Sequence, residues 1–357
     1  MSDYLRRKRK QDHLKLVQFL EDGPSPNGLG DVHFVHNCLP GGDLSAVDTA
    51  ATFCHRDIAV PLMINAVTGG VAESEEINRV FATVARKLDI PMAVGSQAAA
   101  LENPAAVRSY LLVREENPDG FIIANIGLSV TPEQAPEAVK MIDADALQVH
   151  LNAPQEAMMP PGEGDLIFRG SLSRIAQIVK AVDVPVIAKE VGFGMAKEQA
   201  VSFLATGVDA LDIGGKGGTN FIAVENARSK REPAQPFLEW GLSTAVSLIE
   251  VVESVGSRLE IVATGGIRSG LDVAKALSLG ANLVGVAGPL VRSFYRGGEE
   301  AVLGYLQRIQ EELKLTMLML GARNLRELRR RPLVILGETG VWLERRGFDL
   351  NRFARRS

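Results

Sequence analysis

The feature that most constrains this chain is an alternation of eight short apolar segments with helical segments. The apolar segments run from Pro61 to Val67, Pro91 to Ser96, Phe121 to Gly127, Ala146 to Asn152, Pro185 to Val191, Ala210 to Gly215, Glu260 to Gly266 and Asn282 to Gly288. The stretches that begin at Glu75, Ala105 and Leu271 carry apolar residues near i, i+3 and i+4, which is typical of amphipathic helices. The alternation predicts βαβ units and a parallel sheet, and eight units predict a closed (β/α)8 TIM barrel.

The length of the chain is compatible with one domain. The 357 residues are 46% hydrophobic, which is ample material for a large core. A barrel needs roughly 250 residues and tolerates insertions, so a second domain is not required. We expect a single domain over residues 1–357, with an N-terminal arm and extension at 1–57, a barrel core at 58–296 and a C-terminal helical region at 297–357.

Charge and cysteine content exclude several classes of function. The net charge of −4 and the pI of about 5.9 provide no basic field for nucleic acid or an anionic membrane. Cys38 and Cys54 are too few for a disulfide framework or a thiolate metal cluster, which favours a reducing compartment. No stretch approaches the roughly 18 apolar residues of a membrane span, and no signal segment follows the charged start of the chain. We therefore expect a cytoplasmic protein with neither nucleic-acid nor membrane partners.

Polar or glycine-rich clusters follow nearly every apolar segment. They are Thr68-Gly69-Gly70, Ser96-Gln97, Asn125, His150 with Asn152, Lys189-Glu190, the run from Gly214 to Asn220, Gly265-Gly266 and Ala287-Gly288. A single glycine after a strand more often only makes a turn. All of these clusters, however, fall at strand carboxyl ends, where barrel active sites are built. The sequence therefore predicts one site on this rim.

The last two clusters predict a phosphate site. The loop that begins at Gly265 places glycines and a basic residue just before a helix, so free N–H groups and the helix dipole face an anion. Loops after the seventh and eighth strands commonly hold phosphate in barrels. The amide- and hydroxyl-rich rim beside it suits a flavin ring, and Lys189 suits the negative charge of a reduced flavin. Alternatively, Lys189 pairs with Glu190 or a neighbouring carboxylate, or forms a Schiff base.

Several motifs in fixed order carry a family resemblance. They include VTGG at Val67, GSQ at Gly95, QVHLNAPQE at Gln148, PVIAKEVGFGM at Pro185, DIGGKGGTNF at Asp212 and TGGIRSGLDVAKALSLGA at Thr264. With these motifs the chain resembles the type 2, flavin-dependent isopentenyl diphosphate isomerases from about Arg9 to Leu343. That family of isoprenoid biosynthesis interconverts isopentenyl and dimethylallyl diphosphate with reduced FMN and Mg²⁺, and NAD(P)H usually serves as the reductant. The resemblance also implies a homo-oligomer, either a tetramer or an octamer.

The resemblance assigns roles to individual residues. FMN contacts are implied for Val67, Thr68, Gly69, Ser96, Asn125, Lys189 and Thr219, and contacts to its phosphate for Gly265, Gly266, Ile267, Ala287 and Gly288. Substrate contacts are implied for Arg9, Lys10, His13, Ser96, Asn152 and Gln155. Glu156 corresponds to the Mg²⁺ ligand, and the catalytic set is Gln155, Lys189 and His150.

Two positions qualify this assignment. Arg7-Lys8 is a second basic pair, and we choose Arg9-Lys10 because of its spacing to His13. Many relatives carry Arg after GSQ, whereas this chain has Ala98, which puts a diphosphate contact from that position in doubt. By composition alone, the basic run would be a solvated arm, and only the resemblance makes it a substrate contact.

The expected reaction moves a double bond without net redox, so a reduced flavin would act as the proton shuttle and NADPH only as its reductant. The alternative is an FMN-dependent oxidase or dehydrogenase of small 2-hydroxy acids on the same barrel. That chemistry uses a His followed by Gly-Gly-Arg, and the corresponding stretch from Gly214 to Phe221 has no His. A flavin-binding scaffold would leave Gln155 and Glu156 without a role.

Overall fold

The computed structural model describes residues 3–19, 23, 25–229 and 232–357, and its centre is a closed barrel of parallel strands. The barrel strands are β1 Leu62–Ile64, β2 Met92–Ala93, β3 Ile122–Gly127, β4 Ala146–Leu151, β5 Val186–Glu190, β6 Ala210–Asp212, β7 Glu260–Thr264 and β8 Leu283–Val286. Each strand pairs with the next along the chain, and β8 closes on β1. The barrel prediction is confirmed, and every strand lies within its predicted segment. The strands are shorter than or equal to those segments because the polar clusters lie mainly in the loops.

Helices surround the barrel and extend beyond it at both ends of the chain. Their bounds are Asp3–Phe19, Glu73–Leu88, Ala98–Glu102, Arg108–Glu116, Ala135–Met141, Ala153–Met158, Ser171–Ala181, Lys197–Phe203, Phe221–Ser229, Thr244–Val255, Gly270–Leu279, Gly288–Met319, Leu325–Leu328, Gly337–Arg345 and Asn351–Ala354. The longest of these described helices is kinked at Gly297 and Gly298, whose backbone angles are not helical. Among the described residues, each helix is too short or too polar to span a lipid bilayer.

The lower half of the barrel is filled by apolar side chains. This inner cluster contains Met63, Ala93, Ile123, Ala146, Ile187, Ala210, Val262 and Leu283, one residue from each barrel strand. The antiparallel hairpin formed by Ala51–Phe53 and Arg56–Ile58 lies against this cluster, and Phe53 is fully buried there. Burying each large side chain contributes about 1.5–3 kcal/mol. Because this end of the barrel is packed, the open space lies at the carboxyl ends of the strands.

The two flanks of the chain meet on one side of the barrel. Strand Val32–Phe34 pairs antiparallel with strand Leu333–Ile335. Asp31 reinforces the junction, since its backbone oxygen accepts from the N–H of Leu336 and its carboxylate accepts from the N–H of Thr339. The N-terminal helix Asp3–Phe19 continues over the carboxyl-end opening, where Leu14 and Val17 are buried.

Candidate active site

A cavity of about 600 Å³ opens at the carboxyl ends of the strands. This volume is within the usual range for a small-molecule or cofactor site. Every residue assigned to the site from the sequence lines it: Arg9, Lys10, His13, Val67, Thr68, Gly69, Ser96, Asn125, His150, Asn152, Gln155, Glu156, Lys189, Thr219, Gly265, Gly266, Ile267, Ala287 and Gly288. Ala98 also contributes to the lining.

One end of the cavity is a cradle of backbone groups that only glycine permits. Gly265 and Gly266 have φ of 111° and 68°, in the region that side chains disfavour. A Cβ on Gly265 would lie 1.9 Å from the carbonyl oxygen of Gly215, and a Cβ on Gly266 would lie 2.3 Å from that of Gly217. The side chain of Asn27 holds this loop in place by donating to the carbonyl oxygen of Gly266 at 2.6 Å. These two glycines are therefore required by close approach as well as by conformation.

The N–H groups of the cradle are available to a ligand. Within the described residues, those of Gly266, Ile267 and Gly288 donate to no protein oxygen. Gly288 is the first residue of the helix Gly288–Met319, so the positive end of the helix dipole faces the cradle. The hydroxyl of Thr219 lies beside Gly288, because a Cβ there would be 2.9 Å from it. This arrangement suits a phosphate group.

Lys189 lies at the base of the cavity in an ion pair that the sequence did not identify. Its Nζ is 2.8 Å from Oδ2 of Asp212, and both side chains are buried. Of the two pairings left open for Lys189, the one with a neighbouring carboxylate is present, and the one with Glu190 is not, because the Glu190 carboxylate accepts from the N–H groups of Phe193 and Gly194. Burial raises the pKa of Glu190 to about 8, although these hydrogen bonds act in the opposite direction. Lys189 touches Glu190 only through its backbone oxygen, at 3.4 Å.

A layer of buried amides connects this ion pair to His150. Asn65 donates to Asp212 at 2.7 Å, and Gln148 donates to Asn65 at 3.1 Å. Asn125 in turn donates to Gln148 at 3.0 Å, and its Oδ1 is 2.9 Å from Nδ1 of His150. We refer to Asp212, Asn65, Gln148, Asn125 and His150 as the amide chain. It lies directly beneath the cavity.

His150 is uncharged at neutral pH. Burial lowers its pKa to about 4, and the charges of Lys189, Arg9 and Lys10 act in the same direction. Its neighbour across the barrel sheet is Lys189, which is paired with it in register between β4 and β5. Before a ligand binds, His150 therefore carries no positive charge that could attract an anion, and it cannot act as a general acid.

The opposite end of the cavity is built around a buried carboxylate, Glu225. It accepts from Gln155 at 3.0 Å and from Arg228 at 2.8 Å, and it lies 2.8 Å from Nε2 of His13. Burial acts to raise the pKa of Glu225. The hydrogen bond and charge of His13, the hydrogen bond from Gln155 and the charge of Arg228 outweigh this effect and lower the pKa to about 2. We call these four residues the Glu225 cluster. It fastens the N-terminal helix to the barrel and orients Gln155.

Glu156 is a half-buried carboxylate on the same side of the cavity. Its two oxygens accept from the side chain of Asn152 at 2.9 Å and from the N–H of Asp165 at 2.8 Å. The described residues contain no group of three or more His, Cys, Asp or Glu side chains that could enclose a metal. Mg²⁺ commonly takes only one or two protein carboxylates and keeps water or phosphate oxygens, so this donor set fits Mg²⁺ bound together with a phosphorylated ligand.

The basic residues of the N-terminal helix differ in where they point. Lys8 is exposed, and the side chain of Arg7 lies outside the described residues. Lys10 donates to the carbonyl oxygens of Gly69 and Ser96, both at 2.8 Å, and to the hydroxyl of Tyr110 at 2.9 Å. Lys10 therefore ties the helix to the rim, whereas Arg9 lines the cavity and contacts the sulfur of Met159 at 3.0 Å.

The sequence missed five residues that shape the site: Asn27, Asn65, Gln148, Asp212 and Glu225. Asn65 and Gln148 do carry a signal, because each is a polar residue inside an otherwise apolar strand segment. Glu225 carries none, since with Arg228 it has the spacing of an ordinary surface pair on a helix. Only the fold shows that its carboxylate is completely buried.

Comparison with solved structures finds the same fold in two oxidases. A lactate oxidase from Pediococcus acidilactici superposes with a TM-score of 0.68 at 15% identity, covering 93% of this chain and 94% of that one. A mandelate oxidase superposes with a TM-score of 0.63 at 19% identity, covering 94% and 99% of the two chains. At these identities the likeness concerns the fold alone.

Comparison of sequences gives closer relatives. The model of the FMN-dependent dehydrogenase family matches residues 131–335. The isopentenyl-diphosphate delta-isomerase of Moorella thermoacetica is 48% identical, covering 96% of this chain and 97% of that protein. The enzyme of the same name from Symbiobacterium thermophilum is 44% identical and covers 99% of both chains. The chain therefore belongs to the isopentenyl-diphosphate delta-isomerase family and, more broadly, to the FMN-dependent dehydrogenase family.

Proposed function

We propose that this protein is an FMN-containing isomerase that interconverts isopentenyl diphosphate and dimethylallyl diphosphate with no net redox change. The observation that carries the proposal is near-full-length identity of 48% and 44% to two enzymes of that name. It is supported by one cavity that is lined both by the backbone phosphate cradle and by His13 and Gln155 of the Glu225 cluster.

FMN fits the cradle and the adjoining rim. The N–H groups of Gly266, Ile267 and Gly288 would hold the phosphate, and Thr68, Asn125 and Lys189 would contact the ring. When bound and reduced, the flavin supplies an electron-rich ring beside the alkene, suited to stabilising positive charge and handling protons. The Lys189–Asp212 pair holds an ammonium group at the base of the cavity, where its N–H groups would donate to an electron-rich edge of the ligand.

The substrate diphosphate lies at the other end of the cavity in this proposal. Glu156 would hold Mg²⁺, and Arg9 would add a permanent cation whose planar guanidinium can donate to two phosphate oxygens at once. His13 and Gln155 are positioned by the buried carboxylate of Glu225. Asn152 donates to both Gln155 and Glu156, so it couples the alkene end of the site to the metal end.

Proton handling is limited by the states of the nearby side chains. With a pKa of about 2, Glu225 is ionised at neutral pH and cannot protonate the alkene. With a pKa of about 4, His150 is neutral and cannot either. Gln155 can orient the alkene or a water but exchanges no proton of its own. The chain's part is therefore to bind, orient and exclude water around the cofactor.

Further properties belong to the same proposal. NADPH would serve as the reductant of the flavin and would not be consumed with each turnover. The protein functions in the cytoplasm as a homo-oligomer, a tetramer or an octamer, and residues 1–357 form one FMN-binding domain.

The test is an anaerobic assay with isopentenyl diphosphate, FMN, Mg²⁺ and a limiting amount of NADPH. We expect many molecules of dimethylallyl diphosphate per NADPH oxidised, because isomerisation returns every electron to where it began. Oxidised enzyme without NADPH serves as the control and is expected to be inactive. A product-to-NADPH ratio fixed near one would contradict the proposal and favour an oxidoreductase of small 2-hydroxy acids.

A further inference from the structure

We infer that the amide chain is a one-way hydrogen-bond relay that fixes His150 as the Nδ1–H tautomer, so that Nε2 faces the cavity as a permanent acceptor. Gln148 is the central positioning residue of this relay. The inference concerns the orientation of His150 and rests on the proposed function only for what occupies the cavity.

The direction of the relay is set at the Asp212 end. An ionised carboxylate can only accept hydrogen bonds, and Asp212 accepts from Lys189, Thr264 and Asn65. The amide nitrogen of Asn65 must therefore point toward Asp212. Its oxygen accepts from its neighbour's backbone N–H at Ala66, at 2.7 Å, which fixes the same orientation independently.

The orientation of each following amide is set by its hydrogen bond to the one before. The oxygen of Asn65 faces Gln148, so Gln148 must present its nitrogen there and its oxygen toward Asn125. Asn125 must then donate to Gln148 and turn its own oxygen to His150. Reversing any amide would place two oxygens or two N–H groups in contact at a buried site, where Asn65, Gln148 and Asn125 are at most 2% exposed.

The last contact determines the histidine tautomer. An amide oxygen at 2.9 Å from Nδ1 requires a proton on that nitrogen. The ring also hydrogen-bonds the backbone of Ile126, which raises its pKa against the stronger effect of burial. In a neutral ring with its proton on Nδ1, Nε2 carries none. Gly127 keeps the space beside Nε2 clear, since a Cβ there would lie 2.8 Å from it.

An unprotonated Nε2 determines which ligand groups can bind next to it. Its lone pair attracts a neutral N–H or O–H donor and repels a phosphate oxygen, which offers only lone pairs of its own. The positive charges of Lys189, Arg9 and Lys10 lower the pKa of His150 and so oppose protonation of Nε2. The diphosphate therefore binds away from His150, and the ring receives a donor from the flavin edge or from water.

The experiment is NMR of the FMN holoenzyme with ring-¹⁵N histidine at neutral pH. The chain has five histidines, and a His150→Gln sample identifies the His150 signals. We expect wild type to show the Nδ1–H tautomer in roughly ten-fold or greater excess, because the opposite tautomer leaves buried groups unpaired. A dominant Nε2–H tautomer, or a doubly protonated ring, would overturn the inference without reference to turnover.

Variants then test the relay. Gln148→Leu removes both amide contacts at similar size, so Asn125 is free to flip and we expect both tautomers to be populated. Gln134→Leu removes an amide outside the relay and is expected to retain the Nδ1–H form. An unchanged tautomer in Gln148→Leu that still binds FMN would refute the role of Gln148, and if that variant does not fold, the wild-type spectrum decides.

Two additions to the holoenzyme identify what Nε2 contacts. Inorganic pyrophosphate with Mg²⁺ should leave Nε2 unprotonated, whereas protonation on its addition would make His150 an anion ligand and overturn the inference. A through-hydrogen-bond coupling to ¹⁵N3-labelled FMN would identify the flavin edge as the donor. Its absence with the tautomer intact would identify water, which is the same class of donor.

Discussion

The two ends of the cavity are built on opposite principles. The phosphate cradle uses backbone N–H groups and glycines whose Cβ atoms would collide with neighbouring carbonyls. The Glu225 cluster uses side chains from three separate segments held by one buried carboxylate. The cradle is therefore intolerant of added atoms, and the cluster is intolerant of lost charge. Substitutions that act on one end should leave the other nearly unaffected.

The largest expected effect is at the cradle. Gly266→Val adds a side chain that would contact the carbonyl of Gly217, and we expect roughly 1,000-fold weaker FMN binding from the clash and the lost phosphate contacts. The measurement is a fluorescence titration of the apo-protein. Gly298→Val is the matched control, because Gly298 also has a positive φ, 60°, but open space around it. Equal affinity in the two variants would show that strain, and not the cradle, governs binding.

A smaller effect is expected at the Glu225 cluster. Glu225→Gln removes the buried charge that Arg228 and His13 contact, although Arg228 keeps its pair with Glu163, and we expect a cost of about 2 kcal/mol, or roughly 30-fold. We expect amide exchange in the helix Asp3–Phe19 to accelerate by that factor while FMN affinity stays unchanged. Glu327→Gln breaks an exposed pair with Arg323 and should change neither. Unaltered exchange in Glu225→Gln would mean that the cluster does not hold the helix.

The pH dependence of this docking has a defined sign. The folded pKa of Glu225, about 2, lies below the usual glutamate value of about 4.3. The ionised group therefore stabilises the folded state fully above the unfolded pKa. That contribution is lost as the pH falls from roughly 4.3 toward 2, so acid should release the helix in this window.

The smallest of the three effects is on the metal. Glu156→Gln keeps the size of the side chain and removes its charge, and we expect the Mg²⁺ concentration for half-maximal turnover to rise roughly ten-fold. FMN affinity should not change. Glu163→Gln is the control, because Glu163 lines the same cavity but pairs with Arg228. If both variants needed equally more Mg²⁺, the general charge of the cavity would be responsible and not Glu156.

The same contrast explains which parts of the site could be predicted from the sequence. The cradle consists of two local units, each with glycine between a strand end and a helix start a few residues apart, so Gly265, Gly266 and Gly288 were predictable. The amide chain and the Glu225 cluster join residues that are far apart, such as Asn65 with Asp212 and His13 with Glu225. Only closure of the barrel and docking of the N-terminal helix bring them together. The sequence accordingly named Lys189 but not its partner.

The junction between strands Val32–Phe34 and Leu333–Ile335 has a consequence for biosynthesis. Its two halves leave the ribosome about 300 residues apart. At roughly 5–20 residues per second, the first half waits about 15–60 s for its partner. During that interval the edge of the early strand is unpaired, and such edges associate with other chains. Nascent chains are therefore exposed to misassembly until the strand Leu333–Ile335 emerges and pairs with the early strand.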